Sequence, residues 1–587
     1  VAVPVDPSTA PTSGPVADQA AAEAVVDVPA TVPSRWSRIR RTVRAGLPRT
    51  GLAVVCGLLF ALSFPSYGVW PLSLVAVAGV SLLTYRRSAR EAAWTGFAFA
   101  APFLLWLLVW LNVIGVDAWV LLSLFEALFV AAMAAGLATV SRLPGWPLWT
   151  ACLWVAQEWA RDRVPLGGFP WGRLAFANTS SPFTPLAALG GAALVSFAVA
   201  LGGALLAAAV VQVVEHRTAR RRALERVEPE PAGPAGSEQA EARREAVALA
   251  GSGRWRIRAA ASVALAAVVG LVGFAVPIPT AGTTAGGPAS VEVALIQGNV
   301  PHAGMDFLGR PMQVLQNHVQ ATLKLAQDIA AGRAAKPDLV IWPENSSDVN
   351  PYTTPEAYAA IQGAVDTIGV PVLVGALVDG PDAQHVQNEG IVWMPSSSAA
   401  PGPGAHYTKQ HPVPFGEYVP FRSVLSKYIT RLQRVARDFA PGKQTGILQL
   451  GPARIGDVIC FEVAYDGIVR DAVTQGGRVL VVQTNNATYE HSDQPDQQFA
   501  MSRLRAVEHG RSVLIAATSG ISAVIAPDGS VTTRSQLATA AELEARVPLR
   551  DPLTVADRVG AAPEWFLSVV GLLACGAAVV IARRRRV

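Results

Sequence analysis

Three side chains far apart in the sequence have the types needed for acyl transfer: Glu344 in LVIWPEN, Lys409 in HYTKQHPVPFGEYVPF and Cys460 in IGDVICFE. A thiol becomes a strong nucleophile as the thiolate, and a nearby cation favours that form. A carboxylate held close can take the proton. An ammonium aimed at the tetrahedral oxygen stabilises the transition state by about 3–4 kcal/mol. Spacing alone does not bring the three together. Each also has an ordinary role, Cys460 as a small buried residue at a strand end and Lys409 as a solvated loop lysine. Of the four cysteines, Cys56, Cys152 and Cys575 lie in long hydrophobic runs and only Cys460 does not. That distribution is no disulfide framework.

The elements around these residues read as alternating strands and helices. VEVALIQ (291–297), DLVIW (338–342), VPVLVGA (370–376), EGIVWM (389–394), IGDVIC (455–460), RVLVVQT (478–484) and SVLIAAT (512–518) have strand character. Residues 311–331 follow helical spacing, with Leu315, Val319, Ala326 and Ile329 on one stripe. Further helices are expected at 355–368, 463–475 and 496–510. This is an α/β domain over 283–560, long enough to bury a core.

The rest of the chain has a different solvent. The 587 residues are 51% hydrophobic and 16% charged, against about 25% charged in soluble domains. Hydrophobic runs cluster near the ~20 residues that cross a bilayer. About eight transmembrane helices are expected, at 49–66, 69–85, 92–113, 117–140, 146–161, 185–214, 259–278 and 563–582. The fifth is short and carries Glu158; the sixth is long enough to tilt. The five lysines all lie between Lys324 and Lys443, while arginines flank the spans. Arg35–Arg49, Arg86–Arg90, Arg142, Arg217–Arg226, Arg254–Arg258 and Arg583–Arg586 fall on one side if all eight spans exist. The positive-inside rule makes that side cytoplasmic, despite Arg161, Arg163 and Arg173 in the opposite loop. The α/β domain is then extracytoplasmic, and both termini are cytoplasmic. The expected organisation is a disordered tail and basic segment (1–48), a seven-helix membrane domain (49–282) with a cytoplasmic linker at 215–258, the catalytic domain (283–560) and a terminal helix with a basic tail (561–587). The charge pattern speaks for membrane topology and against nucleic-acid binding.

The motifs WPEN, KQHPVPFGEY and GDVICFE, with LIQGNVP before them and TNNATY and RAVEHGRSVLIAATSGISAVIAPDG after, resemble the nitrilase, or carbon-nitrogen hydrolase, superfamily. That resemblance covers the whole α/β domain and implies an αββα sandwich with a Glu–Lys–Cys triad. Together with the flanking spans and PLGGFPWGRLAFAN (165–178), the chain resembles the apolipoprotein N-acyltransferase family. The resemblance implies Cys460 as nucleophile, Glu344 as base and Lys409 as oxyanion partner, with Glu417 and Glu462 as supporting acids. It implies a phospholipid acyl donor, diacylglyceryl-modified apolipoproteins as acceptors, a bacterial cytoplasmic membrane location, a monomer, and no cofactor or metal. The chain departs from the family pattern at Phe307, where a Trp is common nearby, and at Thr488, where a bulky aromatic is common.

Trp171, Arg173, Phe307 and Asn485 are candidate substrate-binding residues; Trp171 and Arg173 also suit ordinary interfacial roles. Glu126 lies mid-span, either functional or a protonated acid bonded to a neighbouring helix. Glu158 is expected to reach the interface. His406, His411, His491 and His509 lack metal-ligand spacing. The Gly/Pro-rich segment 397–422 has lid-like composition. Two other readings stay open: a membrane-anchored amidase or nitrilase for soluble amides, and a transporter or receptor with a non-catalytic nitrilase-like domain.

Overall fold

The computed structural model describes residues 35–225, 253–300, 311–423, 427 and 436–585. The expected disordered tail, residues 226–252 of the linker and the segment containing Phe307 lie outside them. Helix α1 (Arg35–Ala61) begins in a separate unit that ends at Pro48; the second unit starts at Arg49 and carries all the other elements.

A helix meets each expected span. After α1 come α2 (Pro71–Thr84), α3 (Ala89–Leu107), α4 (Val116–Val140), α5 (Trp146–Arg161), α6 (Ala187–Glu225) and α7 (Arg254–Leu271), and Ala562–Arg584 closes the chain. Among the described residues, four stretches are long and apolar enough to cross a bilayer: Val116–Val140, Thr184–Arg222, Trp255–Ala275 and Ala562–Arg584. The others are shorter or interrupted. Helix α2 has 14 residues and α5 has 16, and α3 yields to a 3-10 turn at Val109–Val113. Length and apolarity thus single out four of the eight expected spans. The linker expected from 215 begins instead as the end of α6, a 39-residue helix broken at Gly190 and Gly191. Helix α3 starts cleanly because Ser88 and Glu91 form a capping box, each side chain accepting from the other's backbone N–H.

The α/β domain holds two sheets. The first has the order β13-β1-β2-β3-β4-β5, with β6 paired to β4. Its strands are β1 (Ser290–Gln297), β2 (Leu339–Ile341), β3 (Val372–Asp379), β4 (His385–Met394), β5 (Gly402–Thr408), β6 (Asp438–Phe439) and β13 (Ala541–Pro548). The second has the order β12-β11-β10-β9-β8-β7. It comprises β7 (Ile447–Leu450), β8 (Ala453–Ile459), β9 (Val479–Thr484), β10 (Val513–Ala517), β11 (Ala523–Ile525) and β12 (Val531–Arg534). Both sheets are parallel at the centre, β1–β2–β3 in one and β8–β9–β10 in the other.

Period-two alternation sorts the strand residues. Ile455 and Ile459 pack with Leu295, Ile341, Leu373 and Leu514 between the sheets. On the far side of the first sheet, Ile296 and Trp342 meet Leu315, Val319, Ile361 and Val365 of α8 (Pro311–Ala330) and α9 (Pro355–Ile368). Val458 and Val482 face the other way, toward α10 (Asp466–Thr474) and α11 (Gln494–His509). That apolar cluster continues without a break into Phe103, Trp171 and Phe176 beside the membrane helices. The four layers form an αββα sandwich whose second helix layer shares its core with the membrane part.

His318 on α8 is fully buried, its Nδ1 2.8 Å from the Val314 carbonyl. Burial pushes it down to about 4, with the carbonyl partly opposing. The unfolded chain takes up this proton near 6.5, so stability is full above that pH and is lost as pH falls toward 4. The loss amounts to about 3 kcal/mol. A His318→Phe variant is expected to show a flatter Tm between pH 6.5 and 4.5 in detergent than the parent; an unchanged slope would exclude His318 as the source.

Candidate active site

Strand direction brings the Glu344 and Lys409 segments to the same end of the first sheet. Strands β2 and β3 run in parallel, β4 reverses, and β5 reverses again. Glu344, just after β2, and Lys409, just after β5, therefore emerge on the same side. Lys409 directly follows a strand, although GPGAHYT reads as loop in the sequence. Cys460 directly follows β8 and Asn485 directly follows β9, at the carboxyl ends of parallel strands where α/β sites form. Glu344 fits because position 375 is glycine: a Cβ there would stand 2.2 Å from the Pro343 carbonyl oxygen.

The backbone turns sharply at Cys460, with φ +56°, into a 3-10 turn at Cys460–Ala464 and then α10. A non-glycine residue in this region costs about 1–2 kcal/mol and needs neighbours that enforce it. Glu462 supplies them. It is fully buried. Its Oε2 accepts from the Ile459 N–H at 2.7 Å and the Tyr407 hydroxyl at 2.9 Å. Its Oε1 accepts from the N–H groups of Gln410 at 2.6 Å and His411 at 3.1 Å. One carboxylate thus ties the nucleophile turn to the segment that carries Lys409.

Glu344 and Lys409 form a buried pair, 4% and 2% exposed, with Nζ 3.1 Å from Oε1. The same Oε1 accepts from Asn388 Nδ2 at 2.7 Å, and Oε2 accepts from the Asn485 N–H at 2.8 Å. Lys409 also donates to Glu417 Oε1 at 2.7 Å, and Glu417 Oε2 accepts from the Val413 N–H. Burial opposes the charge on Lys409, but Glu344 and Glu417 outweigh it and hold the ammonium well above its usual range. Burial raises Glu417, and Lys409 partly counters that. Burial and the Glu344 charge push the Cys460 thiol up to about 12, with Lys409 pulling the other way. The sulfur is therefore a neutral thiol at rest, and it accepts a hydrogen bond from Thr484 Oγ1 at 3.4 Å. Such a site can attack a carbonyl when a base removes the proton as the bond forms, with an ammonium beside the developing oxyanion.

A family model described as the apolipoprotein N-acyltransferase N-terminal domain matches residues 56–205, and one described as carbon-nitrogen hydrolase matches 292–550. The apolipoprotein N-acyltransferase of Mycolicibacterium smegmatis is 38% identical over 549 residues, 92% of this chain and 87% of that one. This chain belongs to the apolipoprotein N-acyltransferase family. The apolipoprotein N-acyltransferase of Geobacter metallireducens is 28% identical, over 93% of this chain and 98% of its own. Among solved structures, an amidase from Nesterenkonia sp. aligns over 48% of this chain and 97% of its own, with 18% identity and a TM-score of 0.32.

Most of the remaining candidates lie among the described residues. Trp171 and Arg173 do not face open space where a headgroup would approach; each is 1% exposed. Trp171 donates to Gln497 Oε1 at 2.6 Å, and Arg173 donates to Asp466. Glu126 does bond to a neighbouring helix, but its partner is a cation: its Oε2 accepts from Arg161 Nε of α5 at 2.6 Å, with both side chains buried. Glu158 is buried within the protein at 1% exposure and accepts from the Leu174 N–H at 2.7 Å. Asn485 enters the site through its backbone, while its Oδ1 caps the Ala487 N–H. Phe307 lies outside the described residues. In the segment expected to be lid-like, 402–408 is strand β5, and Phe421 projects outward at 73% exposure.

Sequence reasoning missed Asn388, which holds Glu344, and Thr484, which holds Cys460. Asn388 left one signal, since Asn is depleted inside strands and here it sits mid-β4.

Proposed function

We propose that this protein moves a fatty acyl chain from a phospholipid, through a thioester on Cys460, to the α-amino group of a diacylglyceryl-cysteine at a lipoprotein N-terminus. The observation that carries this reading is the buried Glu344–Lys409 pair of the first sheet with Cys460 of the second sheet close enough to feel both charges, at a strand–turn–helix corner. Family membership selects the substrates.

In the first half-reaction, Glu344 takes the thiol proton as Sγ bonds to the ester carbonyl carbon. Lys409 donates to the tetrahedral oxygen. The ester C–O bond breaks, and the lysophospholipid leaves as an alcohol carrying the proton from Glu344. In the second, the free amine attacks the thioester, Glu344 accepts a proton from nitrogen, and the thiol is restored. Asn388 and the Asn485 N–H keep the carboxylate aimed. Glu417 shares the charge of Lys409.

The full arrangement we propose has eight spans, the α/β domain of about 283–560 on the extracytoplasmic side and both termini in the cytoplasm, in a chain acting as a monomer. Helix α7 supports the membrane setting, because hardly any of its apolar surface is covered by protein. Lipid-anchored donor and acceptor then reach one site by lateral diffusion. Mass spectrometry of the purified protein mixed with phospholipid tests the chemistry. An acyl adduct on the peptide containing Cys460, discharged by a diacylated lipopeptide, is the expected result. Turnover of soluble amides with no adduct would replace this reading with an amidase.

A further inference from the structure

We propose that Arg173 is a positioning residue for the nucleophile turn, acting through Asp466 to let the loop between α5 and α6 hold Cys460 in place. The inference rests on Cys460 being the nucleophile.

The turn is held at two ends. On the triad side, Glu462 accepts the N–H groups of Ile459, Gln410 and His411. On the other side the chain leaves the turn at Asp466, the first residue of α10. Arg505 of α11 donates through Nε to the Val463 carbonyl at 2.8 Å and through Nη2 to the Ala464 carbonyl at 2.9 Å. Its Nη2 also lies 2.7 Å from Asp466 Oδ1. Arg173 completes the arrangement from the opposite direction, with Nη1 2.8 Å from both Asp466 carboxylate oxygens. Both guanidinium carbons stand 5.8 Å from the Phe176 ring centroid. The two arginines therefore grip one carboxylate six residues after the nucleophile, and one of them belongs to a loop 293 positions earlier in the chain.

The same loop touches the turn twice more. The Trp171 ring lies flat against Phe461, with centroids 5.4 Å apart and planes at 3°. The Tyr465 hydroxyl donates to the Gly168 carbonyl at 3.1 Å. The residues on either side of the turn centre thus meet the membrane-side loop before they meet solvent.

Arg173 is itself fixed by the membrane part. Asp162 lies 3.3 Å from its Nη1, Glu158 3.8 Å from its Nε and Glu564 3.9 Å from its Nη2. Glu158 is on α5, Asp162 follows it, and Glu564 is at the start of the last helix. The arginine thus passes the position of the membrane helices to the residue that ends the nucleophile turn. A buried charge pair of this kind adds little stability over an apolar packing, but it does enforce a fixed geometry. Here the geometry concerns a cysteine in a left-handed conformation that its own backbone preference opposes.

The test variant is Asp466→Asn in the full-length protein, because Arg173 then keeps its three other carboxylates and folding is preserved; Arg173→Gln is the companion. Single-turnover Cys460 acylation by phospholipid is followed by mass spectrometry. Rates are normalised to the Cys460 thiol titrated by an irreversible alkylating reagent. Acylation per titratable thiol is expected to fall about 10- to 100-fold in Asp466→Asn with the phospholipid KM nearly unchanged, as misplaced reacting groups require. A rate that falls only in proportion to the titratable thiol would show a purely structural role and overturn the proposal. So would an undiminished rate, with the nucleophile assignment left intact. No adduct in the unsubstituted protein would remove the nucleophile assignment, and this proposal with it.

Discussion

Replacing Cys460 by alanine is expected to lower N-acylation of a diacylated lipopeptide by at least about 10⁴-fold, the scale on which losing a covalent nucleophile acts. The substitution removes one sulfur atom and little else. Thr484 Oγ1 loses its contact to Sγ but keeps Gln498 Oε1 at 3.1 Å. The left-handed backbone at φ +56° is equally demanding of cysteine and alanine, so the fold gains no new strain. Thermal stability in detergent should therefore change by no more than about 1 kcal/mol, while no acyl adduct forms at position 460. Serine should not rescue the activity. Its hydroxyl is less acidic than a thiol already pushed up to about 12 in this pocket, and alkoxide is still harder to form. A Cys460→Ala protein that N-acylates at the parental rate would end the thioester mechanism.

The fold was legible where a pattern was local. Short apolar runs rich in β-branched residues located β1, β2, β3, β4, β8, β9 and β10, and the stripe Leu315, Val319, Ala326, Ile329 located α8. Strand β5 was hidden because Gly402, Pro403 and Gly404 read as loop, yet β4 pairs Met394 with Gly402 and Trp393 with Pro403. Strands β12 and β13 were hidden because their residues are mostly exposed or half-exposed and carry no apolar period. The identities of Glu344, Lys409 and Cys460 could be picked out by chemical type, and their meeting was implied by resemblance alone. Strand direction supplies the reason: two reversals after β3 return β5 to the edge where β2 ends.

The partners of residues that are held by distant parts of the chain were not legible for the same reason. The partner of Glu126 could not be read locally, because Arg161 stands 35 positions on. Trp171 and Arg173 look like interfacial residues because aromatic and basic side chains are common there. Their partners Gln497 and Asp466 lie roughly three hundred residues away, across the α/β domain. The same burial that removes them from a headgroup site gives them a hold on the nucleophile turn.

Replacing Lys409 by methionine is expected to cost at least about 10³-fold in acylation rate, with two physical causes that a second variant separates. The ammonium sits between Glu344 Oε1 at 3.1 Å and Glu417 Oε1 at 2.7 Å, and all three side chains are largely buried. Without it, two carboxylates share a low-dielectric site with no cation. Leaving such charges unpaired costs about 3–5 kcal/mol, so losing the ammonium drives the pair to take up a proton. If that proton resides on Glu344, the base is disabled. An oxyanion donor is also lost, itself about 10²- to 10³-fold in rate. The added proton comes off as pH rises, so residual activity in Lys409→Met should climb with pH where the parent stays level. Combining Lys409→Met with Glu417→Gln removes the surplus carboxylate. The double variant is expected to regain thermal stability and lose the steep pH dependence, because Glu344 can ionise again. It should remain about 10²-fold slow, since nothing replaces the donor at the tetrahedral oxygen. Full recovery in the double variant would reduce Lys409 to a partner for Glu344. A single variant that acylates at the parental rate would exclude it from the chemistry altogether.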